Sequence, residues 1–123
     1  MSKILFIGLG GFFGAIARYL VGIWANDTLK LGNFPIGTFI ANILGCLFIG
    51  YLSQLLIQRD LFTPDVRAMI LTGFLGAFTT FSTFSNETFQ LLREGELGLA
   101  VGYAVGSLIV GLFAVWAGFS LAS

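Results

Sequence analysis

Gly73-Phe74-Leu75-Gly76-Ala77-Phe78-Thr79-Thr80-Phe81-Ser82-Thr83-Phe84-Ser85 decides how the rest of the chain is read. It lies inside the uncharged run Ala68–Asn86, and hydroxyls and phenyls alternate through it in a dense run. At 19 residues the uncharged run is close to the roughly 20 that cross a hydrocarbon core. Ser and Thr bond back to their own backbone carbonyls and bend helices. Gly76 sits where a break costs little, because glycine adopts backbone conformations closed to other residues. The segment is therefore predicted to span the membrane as a helix broken near its middle. Carbonyls freed by a break at that depth must be met by protein, water or a cation.

Working outward, Leu31–Gln58 and Leu97–Ser123 carry no charge at all, and Ile4–Ala25 is interrupted only by Arg18. Each reaches the roughly 20 residues that cross a hydrocarbon core. Helices are predicted near 4-25, 36-57, 66-91 and 97-121, in a single domain over 1-123. Composition agrees: 57% of residues are hydrophobic, 10% are charged and the mean hydropathy is +0.96, so the chain has too little polar surface to cover a soluble globule. The 17 glycines are about twice the usual share of roughly 7%, and most lie in the apolar runs, where they permit close helix contact. The fold class is an all-α membrane protein with four transmembrane helices. Pro35 and Pro64 suit the starts of the second and third, where a proline loses no hydrogen bond. Lys3 followed by an apolar run with Ala15-Ile16-Ala17 has the outline of a cleavable signal. Cleavage there would remove one of the four spans, so the stretch is read as the first helix.

Six Lys and Arg balance six Asp and Glu, which leaves no basic field for nucleic acid. With no His and the lone Cys46, one chain cannot assemble a usual zinc site or a Ser-His or Cys-His pair. The expectation is a protein that is not an enzyme. Four spans put both termini and the second connection on one side, with Lys3, Arg59 and Arg67. The other side carries Lys30 and Arg93, with Arg18 in the nearer half of the first helix. Since Lys and Arg near span ends set orientation, so even a tally instructs it weakly. Insertion both ways, and hence an antiparallel dimer, is permitted.

Several residues stand out as candidates. Gly10, Gly14, Arg18 and Gly22 form one stripe at intervals of four on the first helix. Arg18 either snorkels to the headgroups or turns inward to a buried role. On the second helix Thr38 and Asn42 share a face, and Asn42 needs a helix partner, a water file or a permeating ion. On the fourth, Gly98, Gly102 and Gly106 make a predicted packing stripe beside Tyr103, Ser107 and Gly111. Phe81 and Phe84, three apart, project on nearly one face. They serve either as packing or, through their positive ring edges, as the lining of an anion path.

The run Gly76-Ala77-Phe78-Thr79-Thr80-Phe81-Ser82-Thr83-Phe84-Ser85 resembles the third-helix signature of the bacterial fluoride channel family (Fluc, also called CrcB). Arg18 in a glycine-rich first helix, Gly37-Thr38 with Ala41-Asn42 and Gly45, and the hydroxyl-bearing fourth helix extend the likeness over essentially the whole chain. The resemblance implies a fluoride-selective channel in the cell inner membrane. It would be an antiparallel, dual-topology homodimer with two pores and a structural Na+ at its centre. It implies that Phe81 and Phe84 line the pore beside Asn42, and that Ser82, Thr83, Tyr103 and Ser107 form the polar side, with Thr38 and Arg18 also on the path. Backbone carbonyls of Gly76 and Thr79 would hold the Na+. Gly111 stands where a further hydroxyl would extend the track. The alternative is a small dual-topology multidrug exporter. Proton-coupled export needs a carboxylate inside the membrane, whereas Asp27, Asp60, Asp65, Glu94 and Glu96 fall in connections and Glu87 near the end of the third span. A packing subunit without transport explains the glycines but not the hydroxyls and phenyls.

Overall fold

The computed structural model describes residues Met1–Ser123. The first span is helix α1 (Ser2–Leu29), closed by Lys30 in a left-handed conformation at φ 48°. The second is α2 (Ile36–Ser53), prolonged by a π-helical turn, Gln54–Gln58. The third begins at α3 (Pro64–Ala68), where the Thr63 hydroxyl accepts from the Val66 N–H and Pro64 takes the first helical position. It continues through a π-helical segment, Met69–Leu75, into α4 (Gly76–Phe78) and then α5 (Phe81–Arg93). The fourth is α6 (Leu97–Ala122). All four are long and apolar enough to cross a membrane, and the chain is a multi-pass membrane protein. The first helix is longer than its apolar run because helical hydrogen bonding continues through Asn26 and Asp27, where polarity marks the edge of lipid but breaks no backbone bond.

Between α4 and α5 the backbone leaves the helix. Thr79 lies at φ −94°, ψ 159° and Thr80 at φ −152°, ψ 117°. Helical bonding runs out at the Thr79 N–H, which reaches the Leu75 carbonyl at 3.1 Å. It resumes where the Thr80 hydroxyl accepts from the Thr83 N–H at 3.2 Å, which caps α5.

Glycine sets how closely the spans approach. A Cβ on Gly10 would overlap the Met69 carbonyl oxygen, and one on Gly14 would overlap that of Phe74, so α1 lies directly on the backbone of the π segment. A Cβ on Gly50 would strike the Val115 carbonyl, and one on Gly118 that of Leu47, which locks α2 to α6. Gly45 leaves the room that the Thr79 methyl fills. The predicted stripe of Gly98, Gly102 and Gly106 is not a seam within the chain: nothing lies within 4 Å of a Cβ at any of them. Spacing by four places residues on one face of a helix but cannot say which face has a neighbour. The α6 seam is made by Gly111 and Gly118 instead. Only 18 of 123 residues are buried, so most of the apolar surface faces outward to lipid or another chain.

Candidate functional site

The site is organised around the two extended threonines. Asn42 on α2 accepts from the Thr80 N–H with its Oδ1 at 2.8 Å and donates from Nδ2 to the Thr80 carbonyl at 3.2 Å. One side-chain amide thus replaces both hydrogen bonds that Thr80 lost on leaving the helix. The side chain that the sequence left open between glue and conduction holds the residue immediately before Phe81. From the opposite helix Arg18 turns inward: its Nε donates to the Ala77 carbonyl at 3.1 Å. The guanidinium is half-buried against the interruption, which satisfies one carbonyl there. No hydrogen bond ends on the carbonyl oxygen of Thr79.

A groove of about 660 Å³ opens along this segment between α2, the third span and α6. It brings together Asn42, Phe81, Phe84 and Ser107, with Gly76 and Thr79 at its margin. Phe81 projects outward and is 80% exposed. Its ring centroid is 6.0 Å from that of Phe84, with the planes tilted by 44°. The Ser107 Oγ is buried and has no hydrogen-bond partner within the chain. Phe81 and Ser82 occupy the first turn of α5, where the helix dipole favours negative charge.

One helical turn away, on the same faces of the same three helices, lies a second polar layer. Thr38 is one turn before Asn42, Tyr103 one turn before Ser107, and Glu87 three residues after Phe84. The Thr38 hydroxyl donates to Glu87 Oε2 at 3.0 Å, and the Tyr103 hydroxyl donates to Oε1 at 3.0 Å. The Tyr103 side chain is fully buried and its ring lies 5.0 Å from that of Phe84. Glu87 is turned into the bundle; it does not look out at the margin of the third span. Its spacing from Thr83 and Phe84, four and three residues, was the sequence signal for this. A carboxylate so near a connection is ordinarily solvated, which hides the inward turn from the sequence.

Not every predicted site residue meets in the groove. Thr38 and Tyr103 belong to the carboxylate layer and Arg18 to the far side of the interruption. Ser82 is exposed and Thr83 half-buried, and neither lines the groove. Gly111 packs against Cys46, whose Sγ would be 3.3 Å from an added Cβ.

Residues 5–119 match the family model described as CrcB-like protein, Camphor Resistance (CrcB). The chain is 49% identical over 121 residues to a protein of Chloroflexus aurantiacus named fluoride-specific ion channel FluC, covering 98% of this chain and 95% of that protein. It is 44% identical over 122 residues to a protein of the same name from Methylobacillus flagellatus, with 98% and 94% of the two chains covered. A third, from Acidobacterium capsulatum, is 46% identical over 116 residues, with 94% and 92% covered.

Proposed function

Because the chain belongs to the CrcB family, we propose that it is a fluoride-selective channel through which fluoride leaves the cell passively across the cell membrane. It works as an antiparallel, dual-topology homodimer with two pores and a structural Na+ at the dimer centre. It is not an enzyme. The observation that carries this reading is the groove: two phenyl rings, an unpartnered buried hydroxyl on Ser107 and the first turn of a helix meet there with no cationic side chain.

Fluoride gives up tightly held water only where donors and positive ring edges replace it, and it leaves again only if no single site holds it too firmly. Ser107 supplies a donor. Phe81 and Phe84 supply ring edges, which attract an anion without a fixed charge that would trap it. Asn42 contributes by clamping Thr80, which sets the direction in which Phe81 leaves the backbone. Beyond Phe84 a permeating anion meets Thr38 and Tyr103, whose hydroxyl protons are held by Glu87.

A single chain leaves Phe81 largely uncovered and the face of Gly98, Gly102 and Gly106 without a neighbour. A second copy supports closure of the path, and a weak charge bias supports opposite insertion. The carbonyls of Gly76 and Thr79, the latter without a hydrogen bond within the chain, fit a neutral oxygen site for a monovalent cation. With two copies around a two-fold axis they would hold the Na+, whose positive charge would attract anions to the dimer. The exporter reading is not supported: although Glu87 lies inside the bundle, the family is one of channels.

Electrode-detected fluoride release from proteoliposomes, with chloride-loaded vesicles as the control, tests the proposal. Release of fluoride and retention of chloride is expected. Equal release of both ions, or none of either, would sink it.

A further inference from the structure

The polar column ends abruptly at the end of the bundle that carries the Lys30–Pro35 connection. Beyond Thr38, Glu87 and Tyr103 come Phe34, in the connection before α2, and Leu91 and Ala100, one turn on along α5 and α6, all apolar. Leu91 and Ala100 are 4% and 1% exposed, and with Tyr103 they form a small core against which Phe34 and Phe39 pack. Two of these three cap residues sit on long helices. Phe34 sits on a short connection, and it is the one that closes over Tyr103: the rings meet edge to face with centroids 5.4 Å apart and planes at 79°.

The connection is built to hold that ring in place. Lys30 and Gly32 take left-handed conformations, at φ 48° and 63°, which reverse the chain. Pro35 lies at φ −78°, ψ 71° and the Ile36 N–H reaches the Phe34 carbonyl at 2.8 Å, an inverse γ-turn that fixes the backbone on which the ring is mounted. The two ends of the connection are joined where the Asn26 Oδ1 accepts from the Gly37 N–H at 3.0 Å. A phenyl mounted on a tight turn thus lies against a buried tyrosine whose hydroxyl donates to a carboxylate.

We propose that Phe34 is a positioning residue that stoppers this end of the column, so that water and ions reach the Thr38–Glu87–Tyr103 layer only when its ring swings off Tyr103. This rests on the reading of the column as the fluoride path. The ring is held by aromatic and apolar contact alone, and the short connection has few other buried contacts, so opening there is local and leaves the helices packed.

The test places a cysteine at the layer, Thr38→Cys in a Cys46→Ala background, and measures its rate of modification by a charged, water-soluble thiol reagent in proteoliposomes. Phe34→Ala should accelerate modification by about tenfold or more, because the protected population falls with the contacts that hold the cap closed. Phe34→Leu, which keeps an apolar stopper, and Phe13→Ala, an exposed ring remote from the column, should stay within about twofold of the parent. A smaller acceleration with Phe34→Ala, or an equal one with Phe34→Leu or Phe13→Ala, would overturn the proposal. If Phe34→Ala does not yield monodisperse protein, Phe34→Val removes the ring with less loss of volume and is judged by the same criterion. Fluoride efflux from the unsubstituted protein separates the two readings. Efflux with unchanged labelling removes the stopper and keeps the channel; accelerated labelling without efflux keeps the stopper and removes fluoride.

Discussion

Asn42→Asp changes one atom of a side chain that otherwise fits. Oδ1 still accepts from the Thr80 N–H, but the Nδ2 donor that reaches the Thr80 carbonyl at 3.2 Å becomes an oxygen. The carbonyl then has no donor and faces a second acceptor. Leaving such a group unmet costs about 1–3 kcal/mol, and the residue displaced is the one that aims Phe81. If even about 1.4 kcal/mol of that appears in the barrier to passage, flux falls tenfold. A carboxylate at the edge of the groove adds repulsion of the same sign for any anion. The expected outcome is a fall in the initial rate of fluoride efflux of roughly ten- to a hundredfold, with an unchanged size-exclusion profile because the substitution is nearly isosteric. Asn42→Leu, which removes both hydrogen bonds at similar volume, should also lower thermal stability, since two backbone groups are then unmet. Wild-type efflux from a correctly assembled Asn42→Asp variant would show that the clamp on Thr80 has no part in conduction.

Phe81→Ile and Phe84→Ile retain most of the packing volume and remove the ring edge; they should assemble normally and conduct about a hundredfold more slowly, as a barrier rise of about 3 kcal/mol requires, and two assembled variants with unchanged efflux would return the rings to packing. Rigorous removal of Na+ should destabilise the dimer in size-exclusion and thermal measurements, while reversal potentials show no sodium current alongside fluoride; full activity without Na+ would argue against the Gly76 and Thr79 site. A cysteine at Ser2 or Ser123 should be modified from both sides of one membrane, and modification from a single side would remove the antiparallel dimer. Gly14→Val places a side chain on the Phe74 carbonyl and should destabilise by about 1–3 kcal/mol or more. Gly8→Ala, where nothing lies within 4 Å, should leave thermal stability close to that of the parent.

Four spans, their approximate limits and the absence of a soluble core are properties of hydropathy and charge summed along the chain, so the order of residues alone determined them. The same holds for the unusual third span, because alternating hydroxyls and phenyls are visible without knowing what they touch. Contact between helices is a different kind of quantity. Gly10 and Gly14 do meet a neighbour and Gly98, Gly102 and Gly106 do not, although both sets have the same spacing, because helical period defines a face and only tertiary packing supplies its partner. Asn42 and Thr80 are 38 residues apart, and their reciprocal pairing exists only because α2 crosses the third span where its backbone has left the helix. Glu87 carries the same lesson: its charge and place near the end of a span read as solvated, and the packing of α2 and α6 around α5 turned the carboxylate inward to hold Thr38 and Tyr103. Sequence determined which chemistry the membrane would contain; the crossing of the helices decided which groups satisfy one another and which, like the Ser107 hydroxyl, find no partner within the chain.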